Sequence, residues 1–176
     1  MTEKQYDDLR TLAKDTLPAY FAQHLEGKSP LVYSVEHEYR AVLADPSDPR
    51  GPGIPLKGKI DRIDLVSKDS GSAIVIDFKT GRPKAPKAIR GDVEEGSVSR
   101  EGRNGDNFRQ LVFYALLLDQ AEPLLRPENF ILEFIGERGE EAISRPFLVT
   151  EDEKESLRGL IREVWAKILA LDFTPL

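Results

Sequence analysis

Residues 73 to 81, AIVIDFKTG, end an apolar run with an acid and a base on alternate positions, Asp77 and Lys79. Side chains alternate across a strand, so the two share a face about 7 Å apart. Ile74, Ile76 and Phe78 then point the other way into packing, separating a packing face from a chemical face. The preceding run, KGKIDRIDLV, carries Asp61 and Asp64, and KDSG after it is a short hairpin turn. A turn centred on Asp69 sets Asp61 opposite Asp77, each eight positions from that centre.

Like charges directly opposite on neighbouring strands are destabilising, more so in dry surroundings. Three arrangements relieve the repulsion: one aspartate takes up a proton, Lys79 bridges both, or a divalent cation sits between them. The chain has no cysteine, and oxygen ligands favour a hard ion, Mg²⁺ or Mn²⁺, with water and substrate phosphate completing its shell. Such an ion polarises a phosphodiester and acidifies a bound water, while Lys79 orients that water or stabilises growing charge. For the DxK spacing alone, an edge-strand ion pair is the simpler account. The hairpin partner Asp61 makes the two accounts comparable.

The elements that must position these residues follow from periodicity. A chain of 176 residues, 40% hydrophobic and 32% charged, fits one globular domain with a sizeable core. Residues 4 to 26 have helical spacing (Leu9, Leu12, Ala13, Leu17, Tyr20, Phe21, Leu25), with Pro18 expected to kink the helix or start a new segment. Residues 31 to 43 alternate as a strand, with His37 interrupting the apolar face and expected to pack there. Strands follow near 56 to 67 and 73 to 79. Residues 81 to 107 read as a long charged loop. A buried helix spans 106 to 120 with Asp106 or Asn107 as N-cap, strands cover 129 to 135 and roughly 142 to 149, and Thr150 caps a closing helix over 151 to 171. Three strands in a meander followed by a helical crossover imply an α/β fold, a mixed sheet flanked by helices.

Three stretches, GKIDRID (58 to 64), VIDFKTG (75 to 81) and Gln110-Leu-Val-Phe-Tyr114, resemble in order and spacing the signature of RecB-type nucleases in the PD-(D/E)xK superfamily. The element order is similar to that family's αβββαβ, restriction-endonuclease-like core. The resemblance runs from about Val35 to Leu118 and is weak outside it. It implies that Asp61 and Asp77 are metal-binding carboxylates, that the main-chain carbonyl of Phe78 is a further ligand, and that Lys79 is the catalytic lysine. Gln110 and Tyr114 match the Gln-x-x-x-Tyr element, which lies over the site and contacts DNA; core packing is the plainer account of Tyr114. Arg62 and Asp64 fit a structural ion pair behind the site.

Family members place a metal-ligating histidine on a helix before the first strand. His24 is the candidate for that ligand, although FAQHLEG does not resemble the family's histidine motif and a partly buried helix histidine is the plainer reading. ILALDFTPL resembles the stretch after which some relatives carry a cysteine cluster, but this sequence has no cysteine, so no iron-sulfur cluster is expected in this chain. Both departures suggest a domain of a larger helicase-nuclease polypeptide and bear on its activity.

Net charge is −6, which excludes bulk coating of a polyanion and requires any DNA contact to be local. From Lys79 to Arg90 the sign reverses: Lys79, Arg82, Lys84, Lys87 and Arg90 occur with no acid among them. Arg100, Arg103 and Arg109 extend the run, interrupted by Asp92, Glu94, Glu95 and Glu101. A solvated charged loop is the usual meaning of such a run; its place after Lys79 favours a rim tracking phosphates of single strands or ends, independent of sequence. The leading expectation is a metal-dependent deoxyribonuclease in recombination or repair, cytoplasmic and without membrane contact. A catalytically incomplete DNA-binding module is the alternative, and a carboxylate or metal site unrelated to DNA is the third.

Overall fold

The antiparallel half of the sheet is built by strands β1 (Leu31–Leu43), β2 (Ile54–Leu65) and β3 (Ser72–Lys79), in that spatial order. A computed structural model describes residues 2–46, 48–91, 105–135 and 141–172 of the chain. β2 and β3 pair from Leu65↔Ala73 to Arg62↔Ile76, the register of a turn centred on Asp69. The chain then crosses over through the helices α2 (Pro86–Arg90) and α3 (Asp106–Ala121) to β4 (Arg126–Phe134), which runs parallel to β3. β5 (Ile143–Phe147) returns antiparallel at the far edge. Helices α1 (Glu3–His24) and α4 (Glu151–Leu169) complete a mixed five-stranded sheet flanked by helices, the expected fold class. Among the described residues no helix is long and apolar enough to cross a membrane.

The core lies between the sheet and α3. Eight α3 residues are buried, among them Leu111, Tyr114 and Leu117, and they pack on Ile63, Ala73, Val75 and Leu132. Close approach is required at Gly58 of β2, where a Cβ would lie 2.5 Å from Leu117 Cδ1 and 3.1 Å from Phe113. Leu157 of α4 is buried in the same core, with Leu160, Ile161 and Trp165 packed against it. A capping box starts α4, with Thr150 Oγ1 accepting from the Glu153 N–H at 3.3 Å and Glu153 Oε2 accepting from the Thr150 N–H.

Several expectations are corrected. Pro18 does not start a new segment: α1 runs from Glu3 to His24 with the proline inside it. Pro18 and Lys14 are both exposed, so the carbonyl deprived of its N–H partner meets water rather than apolar core. Leu17 and Phe21 are exposed as well, so the helix buries less of its apolar stripe than its spacing suggests. The cap of α3 is Gly105 at φ 87°, with Asp106 as its first helical residue. The loop after β3 contains α2, anchored by the buried Ile89. In β1 the alternation slips at an irregularity between Val32 and Ser34 and at Glu36, φ 50°. His37, paired with Ile60 and edge-on to Tyr39, is exposed and is not packed in the core.

Candidate active site

Pairing between β2 and β3 reaches Arg62↔Ile76, and one step further a carboxylate bonds to the backbone of the neighbouring strand. Asp61 Oδ2 accepts the Phe78 N–H at 2.8 Å. Asp61 thus lies beside Asp77 with one oxygen fixed by backbone. Its carboxyl is held above the usual carboxylate range chiefly by burial, opposed by the Phe78 hydrogen bond and reinforced by the charge of Asp77.

Asp77 sits deeper, at 2% exposure. The division of β3 into a packing and a chemical face is corrected here: Ala73, Val75 and Asp77 form the deeply buried side, whereas Ile74, Ile76 and Phe78 are only half-buried. The apolar helix α3 covers the aspartate side, and the acid ends the core-facing row instead of projecting to water.

Gln110 and Tyr114, one turn apart on α3, both end at Asp77 Oδ1. The Tyr114 hydroxyl donates to it at 3.0 Å, Gln110 Nε2 donates to it at 3.0 Å, and Gln110 Nε2 also lies 2.6 Å from Tyr114 Oη. Lys79 Nζ donates to Gln110 Oε1 at 2.7 Å and stands 2.5 Å from Asp77 Oδ2. Gln110 therefore bridges the acid and the base. Burial first, and then the charge of Asp77, push the Tyr114 phenol well above its ordinary value, so at neutral pH it keeps its proton and donates to Asp77 while accepting from Gln110.

The donor set suits a hard cation. Asp77 Oδ2 is buried with no hydrogen-bond partner other than the facing Lys79 ammonium, and it shares the site with a second carboxylate whose ionised form burial disfavours. Two anionic oxygen donors in dry surroundings match an ion that takes oxygen ligands and keeps several waters. Among the described residues no group of three or more histidine, aspartate or glutamate side chains is placed to hold a metal.

His24 is not brought to this pair. It stacks on Tyr20 at 4.6 Å and stands 3.4 Å from Glu133, in a cavity lined by Arg62, Asp64, Ile74 and Ile76. Those residues alternate with Asp61, Ile63, Val75 and Asp77, so His24 lies on the opposite face of the sheet. Arg62 and Asp64 form a bidentate pair there, at 2.8 and 2.7 Å. Phe78 places its ring edge-on to Tyr20 on the same side.

Of the basic run, Arg82 and Lys87 are exposed and Lys84 half-buried. Arg90 instead braces the fold. Its guanidinium lies 4.3 Å over the Phe108 ring and 5.5 Å from that of Phe147, and it donates to Glu153 at 2.7 Å. Arg109 pairs with Asp106. Asp92, Glu94, Glu95, Arg100, Glu101 and Arg103 lie outside the described residues. Sequence reasoning passed over Glu133, although a carboxylate inside the apolar run NFILEFI is the same signal that singled out Asp77.

A search of curated proteins finds no match. Among solved structures, the chain is similar to the one titled "Crystal structure of SSO0001", with 20% identity and a TM-score of 0.45 over 81% of this chain. The match spans 52% of that protein's length. The profile of the PD-(D/E)XK nuclease superfamily matches residues 3–176. With nearly its whole length matched, the chain belongs to the PD-(D/E)XK nuclease superfamily.

Proposed function

We propose that this chain is a metal-dependent deoxyribonuclease domain of the RecB type, hydrolysing phosphodiester bonds at DNA single strands or ends without regard to sequence. The observation that carries this reading is the network in which Asp61 and Asp77 meet beside Lys79 while Gln110 joins Lys79 to Asp77. Asp61, Asp77 and the main-chain carbonyl of Phe78 are the groups to hold a Mg²⁺ or Mn²⁺ ion. Bound there, the ion supplies Lewis-acid polarisation of the phosphate and a readily deprotonated water.

The rest falls to the protein. Gln110 and Tyr114 occupy Asp77 Oδ1 and so fix the direction of Oδ2. Lys79 keeps its ammonium within the site through Gln110 and Asp77, and it offers positive charge to the phosphate oxygens as water adds to phosphorus and the alcohol leaves. Arg82, Lys84 and Lys87, directly after Lys79 in the chain, guide the backbone of the DNA. The domain acts in recombination or repair in the cytoplasm, beside helicase domains of the same polypeptide or complex.

Cleavage of single-stranded and duplex DNA with Mn²⁺ tests this reading. Wild type cuts, and Lys79→Ala lowers the rate at least about 100-fold with DNA affinity retained, because the lost charge acts on the transition state. A second reading is favoured by one observation, the lack of a third histidine, aspartate or glutamate side chain beside Asp61 and Asp77 among the described residues: a DNA-binding module without a complete metal shell. Binding that never yields products with either cation establishes that reading instead.

A further inference from the structure

Across the sheet from Asp77, a cavity of about 350 Å³ opens between α1 and strands β2 to β5, and its lining includes Tyr20, His24, Glu133 and Ser144. Glu133 is only 4% exposed. Its Oε2 accepts the Ser144 hydroxyl at 2.6 Å, but buried Oε1 has no hydrogen-bond partner, and neither has buried His24 Nε2 facing it. The two atoms are 3.4 Å apart. That is too long for a good charge-assisted hydrogen bond, which closes to about 2.7–2.9 Å. A buried carboxylate oxygen left in this way is costly.

The same separation has a second meaning. Two ligand atoms bound tetrahedrally to one ion by bonds of about 2.0–2.1 Å stand about 3.3–3.4 Å from each other. Both side chains are also already oriented. Ser144 holds the far oxygen of Glu133, in the manner of a second hydrogen-bonding layer around a metal ligand. Tyr20 fixes the imidazole plane by stacking at an interplanar angle of 16°.

We propose that His24 Nε2 and Glu133 Oε1 form a second divalent-metal site, on the opposite face of the sheet from Asp61 and Asp77, that takes Zn²⁺ in preference to Mg²⁺, with water from the cavity completing the shell. An imidazole nitrogen selects a borderline ion over a hard one. The site ties the C-terminal end of α1 to β4, and its role is to hold that helix on the sheet.

Zn²⁺ binding to the Asp77→Asn protein separates this site from the carboxylate pair. Equilibrium dialysis should show one Zn²⁺ per chain, not displaced by millimolar Mg²⁺, and binding at least tenfold weaker after His24→Gln or Glu133→Gln. Imidazole NMR of the otherwise unaltered chain gives a readout that needs no variant at this site: Zn²⁺ should shift the ring signals of His24 and leave those of His37, the only other histidine, in place. No saturable uptake, uptake insensitive to both substitutions, or a ring shift at His37 alone overturns the proposal and leaves His24 and Glu133 a plain ion pair. The nuclease reading stands or falls separately, on cleavage with Mn²⁺.

Discussion

Asp61 and Asp77 are placed where protein alone does not satisfy them well, and this has consequences for single substitutions. The Asp61 carboxyl is raised above its ordinary value, mainly by burial, so the folded form binds more protons than the unfolded one between the ordinary and the raised value. Stability without metal therefore falls as pH rises through that window. Asp61→Asn keeps an oxygen for the Phe78 N–H and loses the charge. Thermal denaturation in chelator should show the pH slope flattened and the melting temperature at pH 7 raised by about 2 °C, a gain held below about 1 kcal/mol by partial solvent screening. Cleavage should be lost in the same variant. Tyr114→Phe keeps the ring in the core and removes one of two donors to Asp77 Oδ1, so it should lower the cleavage rate about tenfold and leave DNA affinity unchanged. A loss of affinity would instead put the hydroxyl on the DNA, the role that the Gln-x-x-x-Tyr resemblance implies.

At the scale of elements, α3 decides whether the site is assembled, because it brings both Gln110 and Tyr114 to β3. Its distance from β2 is set at Gly58, where a methyl group would strike Leu117 and Phe113. Gly58→Ala should cost about 1–3 kcal/mol, read as a lower urea midpoint at unchanged slope. The elements themselves were largely legible. The apolar run in AIVIDFK marks the strand and the KDSG turn specifies the hairpin register, and the run from Phe108 to Leu118 can only be a buried helix. Local pattern did not reveal which side of β3 is deeper, because alternate positions are apolar on both sides and only the packing of α3 decides between them. Nor did it reveal the continuity of α1 through Pro18, which depends on solvent meeting the freed carbonyl. His24 illustrates the same limit: its residue type suits a metal shell, but the face on which α1 docks separates it from Asp77.

Across the whole molecule, the question is how a chain of net charge −6 can hold a polyanion. The long β1–β2 hairpin offers no help, since Lys57 pairs with Glu38, Arg40 with Glu38, and Lys59 with Glu36. The stretch from Arg82 to Lys87 has three cations and no acid, and it leaves the sheet directly after Lys79. Attraction to DNA must therefore be local and set against a repulsive background, which makes it steeply dependent on salt. Lys84→Gln with Lys87→Gln should weaken binding uniformly across sequences and reduce the slope of log affinity against log salt by about 1.5, from two lost phosphate contacts. Arg90→Gln serves as the control from the same run. Its guanidinium is already committed to Phe108, Phe147 and Glu153, so its loss should lower the melting temperature and leave the salt slope where it was. Equal effects of the two changes on the slope would mean that the whole run, and not its first half, faces the DNA.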